Sequence, residues 1–105
     1  EEIHVIGTMA SEVSRMVRHS VNAYVNRDLE LARSVMKADD GVDKYFEEVR
    51  DEMIQFIKDE KGKNGKRIFD LIMVTKYLER IGDHATNIAE WVEFSITGVH
   101  KDSAI

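Results

Sequence analysis

The stretch IFDLIMVTKYLERIGDHATNIAEWVEFSI, residues 68–96, has the most regular apolar pattern in this chain of 105 residues. Apolar or small residues recur in it every three or four positions, which is the spacing of one face of an α-helix. They are Ile68, Leu71, Ile72, Thr75, Leu78, Gly82, Ala85, Ala89, Val92 and Ile96. A helix of roughly 30 residues buries such a face mainly against other helices. We therefore predict a long helix within a bundle, ending near Gly98.

The apolar face of this helix changes from large residues at its start to Gly82, Ala85 and Ala89 further along. A glycine inside a helix costs about 1 kcal/mol relative to alanine, so its presence needs a reason. Small residues let a neighbouring helix come close, and we expect such a contact here.

Two further apolar stripes precede this one. The first runs over residues 3–36, and we expect its helix to end at residues 39–41, because two aspartates and a glycine offer both a helix stop and a new N-cap. The second covers residues 42–57 and leads into the polar run 58–66, which we interpret as a solvated loop. The sequence thus predicts an all-α, antiparallel three-helix bundle of up-down-up, spectrin-like topology, with long first and third helices.

Composition limits the classes of protein that remain. Twenty Asp and Glu against fifteen Lys and Arg give a net charge of -5, which disfavours nucleic-acid binding. The absence of cysteine excludes disulfides, cysteine-ligated metals and thiol nucleophiles. No apolar run reaches the roughly 18 residues that a membrane span needs, and no catalytic motif is present. We expect residues 1–105 to be a single soluble, non-enzymatic domain and a piece of a longer protein.

Two pairs of carboxylates have the spacing of one helical face, Asp39 with Asp43 and Glu79 with Asp83. From Asp43 to about Glu60 the second helix descends roughly 26 Å at 1.5 Å per residue, and the third helix returns to the same level near Asp83. All four carboxylates are therefore expected to converge. Because neighbouring like charges disfavour ionisation, a cation would relieve them, and oxygen ligands favour Mg²⁺, Ca²⁺, Mn²⁺ or iron.

Other readings of these residues stay open. Lys44, Lys76 or Arg80 could neutralise the acids through ordinary ion pairs. His84 could be an additional ligand or an exposed histidine, and Asn87 a carbonyl ligand or an exposed asparagine. Asp28 is interpreted as a polar residue at the edge of the first stripe.

Residues 77–90, YLERIGDHATNIAE, resemble the signature of the PhoU family of phosphate-transport regulators. The run DDGVD from Asp39 to Asp43 is similar to the acidic turn motif of that family, and Arg27-Asp28 resembles another feature of its first helix. The resemblance covers nearly the whole chain and is strongest over residues 69–98. It is to the second of two tandem three-helix units, so the chain is predicted to be half of a two-unit protein or a fragment.

The resemblance implies a multinuclear iron or zinc cluster at Asp39, Asp43, Glu79 and Asp83. It also implies a cytoplasmic negative regulator of the phosphate-starvation response. Its partners would be the ATPase subunit of the phosphate ABC transporter and a sensor histidine kinase, and it would reach the membrane only through them. Homodimerisation, or pairing with a second unit of the same chain, would cover its open flank. The alternative is a helical assembly module, such as the soluble PhoU-like domain of an ion or phosphate transporter.

Overall fold

The computed structural model describes residues 2–60 and 65–98 and contains three α-helices within them. They are α1 (Glu2–Asn26), α2 (Leu29–Glu60) and α3 (Gly65–Thr97). Each helix packs along both of the others, in a bundle 53 × 27 × 17 Å in extent. The predicted all-α bundle is confirmed. The loop predicted at residues 58–66 is shorter than expected, because residues 58–60 belong to α2 and residues 65–66 to α3. Residues 61–64 lie outside the described part of the chain.

The core consists of two clusters of buried side chains along the bundle axis. The larger one draws on all three helices and contains Met9, Val13, Met16, Ala23, Ala32, Val35, Val42, Ala85, Ala89 and Val92. The smaller one, at the end of the bundle where α2 leads to α3, contains Val49, Met53 and Ile68. Burial of these stripes, rather than helix propensity, supplies most of the stability of such helices.

The boundary between the first two helices was predicted wrongly, because the chain reverses at Arg27 and Asp28. Arg27 has a left-handed backbone with φ of 51°. The N–H of Asp28 donates to the carbonyl of Ala23 at 2.9 Å, and that of Arg27 to Tyr24 at 3.4 Å. These two bonds form a Schellman motif that closes α1. The Asp28 carboxylate then accepts the N–H of Leu31 at 3.0 Å, so Asp28 is the exposed N-cap of α2 rather than a polar residue on the first stripe.

Residues 39–41, where the turn was expected, lie inside α2. The fully buried Val35 and Val42 lie on either side of them, and packing of this face holds the segment helical in spite of Gly41. The predicted helix lengths change accordingly. α2 and α3 are long, at 32 and 33 residues, and α1 is the shortest at 25.

The small residues of α3 mark its closest contact with the other helices. A Cβ at Gly82 would lie 3.6 Å from Cγ1 of Val42 and 3.8 Å from Cγ2 of Val13. Gly82 therefore faces both α1 and α2, as its place among the small residues predicted. α3 ends at Thr97, followed by Gly98 with φ of 76°. Within the described residues, no helix is long and apolar enough to cross a membrane.

Candidate functional site

The packing of Val42 against Gly82 sets the level at which the acidic residues of α2 and α3 meet. Asp43 follows Val42 directly, and Asp39 lies about one turn before it. Asp83 follows Gly82 on α3, close enough for its charge to act on both Asp39 and Asp43. Three of the four predicted carboxylates are thus brought together. Their convergence does not depend on the expected turn, because it follows from their similar distances along α2 and α3 from the connection between these helices.

Asp39 is the least exposed member of this acidic cluster, which we define as Asp39, Asp43 and Asp83. Partial burial raises the pKa of its carboxyl above the ordinary value, and the charges of Asp43, Asp83 and Asp40 raise it further. Burial disfavours the charged form because the surroundings solvate it less well than water does. Asp39 is therefore held in a position that is unfavourable to its own negative charge.

The pKa of Asp43 is also raised, first by loss of solvation and then by the charges of Asp83, Asp40 and Glu47. No ion pair among the described residues involves any of these acids. The four ion pairs found there are Arg15–Glu12, Arg33–Glu93, Arg50–Asp51 and Lys66–Asp70. The alternative in which Lys44, Lys76 or Arg80 neutralises the cluster is not found in this part of the chain, and Arg80 lies 6.0 Å from the Tyr77 ring centroid.

Thr86 is a neighbour of the cluster that the sequence analysis missed. Its hydroxyl lies near enough to Asp39 for a hydrogen bond that would lower the pKa of the carboxyl. The hydroxyl has a single proton, however, and donates it to the carbonyl of Gly82 at 3.0 Å. Oδ1 of Asp39 is buried without a hydrogen-bond partner among the described residues. The sequence could have indicated Thr86, because it lies one turn after Gly82 on the same face of α3.

The remaining predicted ligands are placed less closely. Glu79 is half-buried one turn before Asp83, and within residues 2–60 and 65–98 it has no hydrogen bond or ion pair. His84 and Asn87 are exposed on α3. Across the same residues, no three His, Asp or Glu side chains form a ready-made metal-binding group. The ligand set of the sequence analysis therefore stays a prediction.

The chemistry of the donors nevertheless fits a hard cation. All three members of the cluster offer carboxylate oxygens, and the buried Oδ1 of Asp39 lacks any donor. A buried polar atom without a partner costs free energy that a bound cation would recover. Asp39, Asp43 and Asp83 are the residues that would hold such an ion, which would neutralise their charge and link α2 to α3.

A depression with a volume of about 200 Å³ lies between α1 and α2. Arg15 and His19 line it, but Arg15 donates to both carboxylate oxygens of Glu12, at 2.8 and 3.0 Å. The cationic side chain is therefore already paired, and this depression is a weaker candidate than the acidic cluster.

Known proteins resemble this chain over most of its length. Residues 6–92 match the PhoU domain family. The chain is 37% identical over 97 residues to a phosphate-specific transport system accessory protein PhoU homolog of Clostridium acetobutylicum, covering 92% of this chain and 44% of that protein. Proteins of the same name in Zymomonas mobilis and Pseudomonas aeruginosa are 38% and 35% identical, over 91% and 92% of this chain and 40% and 38% of theirs. No solved structure matches the chain. The chain spans less than half the length of these relatives, and it belongs to the PhoU domain family.

Proposed function

We propose that this chain is the cation-binding, partner-docking part of a regulator of phosphate transport. The proposal draws on its membership of the PhoU domain family and on relatives named as accessory proteins of the phosphate-specific transport system. In this role it acts in the cytoplasm on the phosphate ABC transporter, through the ATPase subunit, and on a sensor histidine kinase. It dampens the phosphate-starvation response when phosphate is ample.

The observation that carries the proposal is the uncompensated charge of the acidic cluster. Four acids elsewhere in the described residues form ion pairs, including Arg33–Glu93 at 2.9 Å and Lys66–Asp70 at 3.1 Å. At the cluster, three carboxylates lie next to the close contact between Gly82 and Val42. The buried Oδ1 of Asp39 accepts no hydrogen bond from any described residue. An arrangement that costs stability in the free protein is favoured where ligand binding recovers that cost.

The bound cation supplies charge neutralisation and a link between two helices, and catalysis is not part of the proposal. Iron and zinc are the first candidates, with Mg²⁺, Mn²⁺ and Ca²⁺ as further ones, since all accept carboxylate oxygen. Asp39 and Asp43 of α2 and Asp83 of α3 would hold the ion, and α2 would thereby be fixed relative to α3. A surface held in one conformation loses less entropy when a protein partner binds to it.

The first experiment measures cation binding directly. The whole chain, stripped with chelator, is dialysed against Fe²⁺, Zn²⁺, Mn²⁺, Mg²⁺ or Ca²⁺ in turn and assayed for bound metal. We compare the wild type with the triple variant Asp39→Asn, Asp43→Asn, Asp83→Asn. The matched control, Asp28→Asn, Asp51→Asn, Asp70→Asn, makes the same charge change at exposed positions. The expected result is stoichiometric metal in the wild type and control and none in the cluster variant. Equal binding by all three proteins would contradict the site.

A separate variant, Glu79→Gln, tests the fourth predicted ligand. Glu79 belongs to the set if this change weakens binding by tenfold or more, which corresponds to about 1.4 kcal/mol. Unchanged affinity would confine the site to Asp39, Asp43 and Asp83.

The docking half of the proposal is tested by capture of its partners. Immobilised wild-type chain, with the metal found above, is incubated with the ATPase subunit of a phosphate ABC transporter or with the sensor kinase. We expect capture by the wild type and the control, and weaker capture by the cluster variant at equal helix content. No capture by the wild type would favour the alternative, in which the chain is a helical domain belonging to an ion or phosphate transporter.

A further inference from the structure

Thr86 adds a neutral oxygen to the inner side of the acidic cluster. Asp39 lies one turn along α2 from Asp43, in the direction of the α1–α2 turn. α3 runs in the opposite direction, so Thr86 lies one turn from Gly82 towards the same end of the bundle. Thr86 is only 9% exposed, and its hydroxyl is within hydrogen-bond reach of Asp39. These two residues therefore lie opposite each other on the bundle side of the cluster, whereas Asp43 and Asp83 are exposed.

The Thr86 hydroxyl has no proton to give to Asp39. Its single proton is donated to the carbonyl of Gly82 at 3.0 Å, a common bond for a threonine inside a helix. The lone pairs of the hydroxyl remain, and no described residue donates a hydrogen bond to them. Oδ1 of Asp39 is likewise buried without a donor. Two buried oxygens thus lie close together with no proton between them, which costs free energy in the cation-free protein.

We propose that Thr86 is a ligand of the cation at the acidic cluster, an inference that rests on the proposed function. Its hydroxyl and Oδ1 of Asp39 bind the cation from the side of the bundle, and the carboxylates of Asp43 and Asp83 bind it from the side of the solvent. A hydroxyl oxygen suits a hard cation, as the Ser or Thr ligand of Mg²⁺ in phosphate-binding loops shows. Because this ligand is neutral, it adds no further negative charge to three carboxylates that already repel one another.

The bond to Gly82 prepares the hydroxyl for this role. An O–H directed at the site would repel a cation, and the carbonyl of Gly82 holds the proton away from it. Thr86 therefore needs neither a new rotamer nor the release of a proton to bind the cation. A water molecule is the competing occupant, since it could donate one proton to each of the two buried oxygens. Loss of the hydroxyl weakens cation binding only if the cation contacts it, and this separates the two cases.

Thr75 offers a matched control on the same helix. It is 2% exposed, and its hydroxyl donates to the carbonyl of Leu71 at 2.8 Å, which is the same type of bond. Thr75 lines a hollow between α2 and α3 together with Phe46 and Val49, and no described carboxylate lines that hollow. Replacement by valine thus removes the same hydroxyl at both positions, but only at Thr86 does it remove an oxygen from the acidic cluster.

Titration of the metal-free whole chain with Tb³⁺, and with each metal found bound after dialysis, tests the proposal. We expect Thr86→Val to weaken binding about tenfold or more, and Thr86→Ser, which keeps the hydroxyl, to stay within about threefold of the wild type. Thr75→Val should bind like the wild type. Equal affinity of Thr86→Val and the wild type overturns this inference but leaves the proposed function intact. A wild type that binds none of the tested cations overturns both.

Luminescence lifetimes of bound Tb³⁺ in H₂O and D₂O count the water molecules on the ion and show whether Thr86 contacts it. Water should replace the lost hydroxyl in Thr86→Val, so this variant gains one bound water, whereas Thr75→Val gains none. A Thr86 that only packs α3 against α2 would weaken binding without this gain, and that result overturns the inference. Circular dichroism checks that helix content is unchanged. If it falls in Thr86→Val, Thr86→Ala removes the same hydroxyl with a smaller side chain and takes its place.

Discussion

Two short segments, residues 27–28 and residues 39–41, both carry aspartate, and they have opposite structures. Arg27 takes the left-handed backbone that usually favours glycine, and Asp28 caps the helix that follows. Gly41, by contrast, lies within a continuous helix with nothing within 4 Å of where a Cβ would be. The glycine is thus in the helix and the arginine is in the turn.

The difference lies in what each aspartate has to bond to. Asp28 accepts the N–H of Leu31 at 3.0 Å, so its charge is used for local structure. Oδ1 of Asp39 is buried and accepts no hydrogen bond from the described residues, and the pKa of its carboxyl is raised by burial and by neighbouring acids. A carboxylate whose local structure does not need it is the better candidate for binding a ligand.

The largest effect we expect comes from removing the cap. Asp28→Ala should lower the free energy of unfolding by about 1 kcal/mol and at most about 2, because the first turn of α2 loses its side-chain acceptor. Chemical denaturation measures it. Asp28→Asn, whose amide oxygen still accepts the bond, should stay within a few tenths of the wild type. An unchanged free energy of unfolding in Asp28→Ala would mean that the Asp28 cap does not stabilise the start of α2.

Gly41→Ala should have the opposite sign. In the middle of a helix with open space around it, alanine gains about 1 kcal/mol over glycine. The same substitution would destabilise a left-handed turn, so the sign of the change in urea midpoint distinguishes a continuous α2 from a turn at residues 39–41. A loss of stability would instead indicate a turn at residues 39–41, as the sequence suggested.

The fold class and the number of helices could be predicted from the sequence because the apolar stripes are long. The break between α1 and α2 could not, since Val25, Asp28 and Leu31 follow one another at intervals of three and only the polar Asp28 interrupts the apolar stripe there. Two aspartates and a glycine at residues 39–41 also gave a stronger local signal than Asn26-Arg27-Asp28. Packing of Val35 and Val42 outweighs the cost of Gly41, and that balance is a tertiary effect.

The convergence of three carboxylates was easier to predict than the turn between the first two helices. Asp39, Asp43 and Asp83 meet because they lie at similar distances along α2 and α3 from the connection between these helices, wherever α2 begins. The position of Thr86 could have been predicted from its spacing to Gly82, but the buried Oδ1 of Asp39 could not, because its lack of a partner depends on side-chain rotamers. The placement of Glu79 as a ligand rests on spacing alone.

A smaller gain should follow from Arg27→Gly. Glycine relieves about 1 kcal/mol or more of left-handed strain but gives back roughly half of that through the greater freedom of the unfolded chain. We expect a net gain of about 0.5 kcal/mol, seen as a small rise in thermal midpoint. Arg27→Val, which is branched at Cβ, should instead lose stability. If both variants behave alike, the backbone at residue 27 is not left-handed in solution.

The smallest and most informative change is Asp39→Asn, measured without metal at several pH values. The folded protein holds the proton of Asp39 more tightly than the unfolded chain does, because its pKa is raised from the ordinary 3.8 by burial and by the charges of Asp43, Asp83 and Asp40. Below pH 3.8 the carboxyl is protonated in both states, so its charge costs nothing. As the pH rises through the folded pKa, the folded state must carry that charge and stability falls. Asp39→Asn should therefore stabilise the chain at pH 7 and make little difference near pH 4, by a modest amount because water still screens a half-exposed group.

Asp51→Asn, the same change at an exposed position of α2, controls for the change in net charge. Saturating cation should reverse the sign at Asp39, since the wild-type carboxylate then has a partner and the asparagine binds the ion more weakly. Unfolding curves of both variants at pH 4 and 7, with and without the metal, decide the matter. If Asp39→Asn destabilises the metal-free chain at pH 7, the carboxylate already has a favourable partner and the contrast with Asp28 fails.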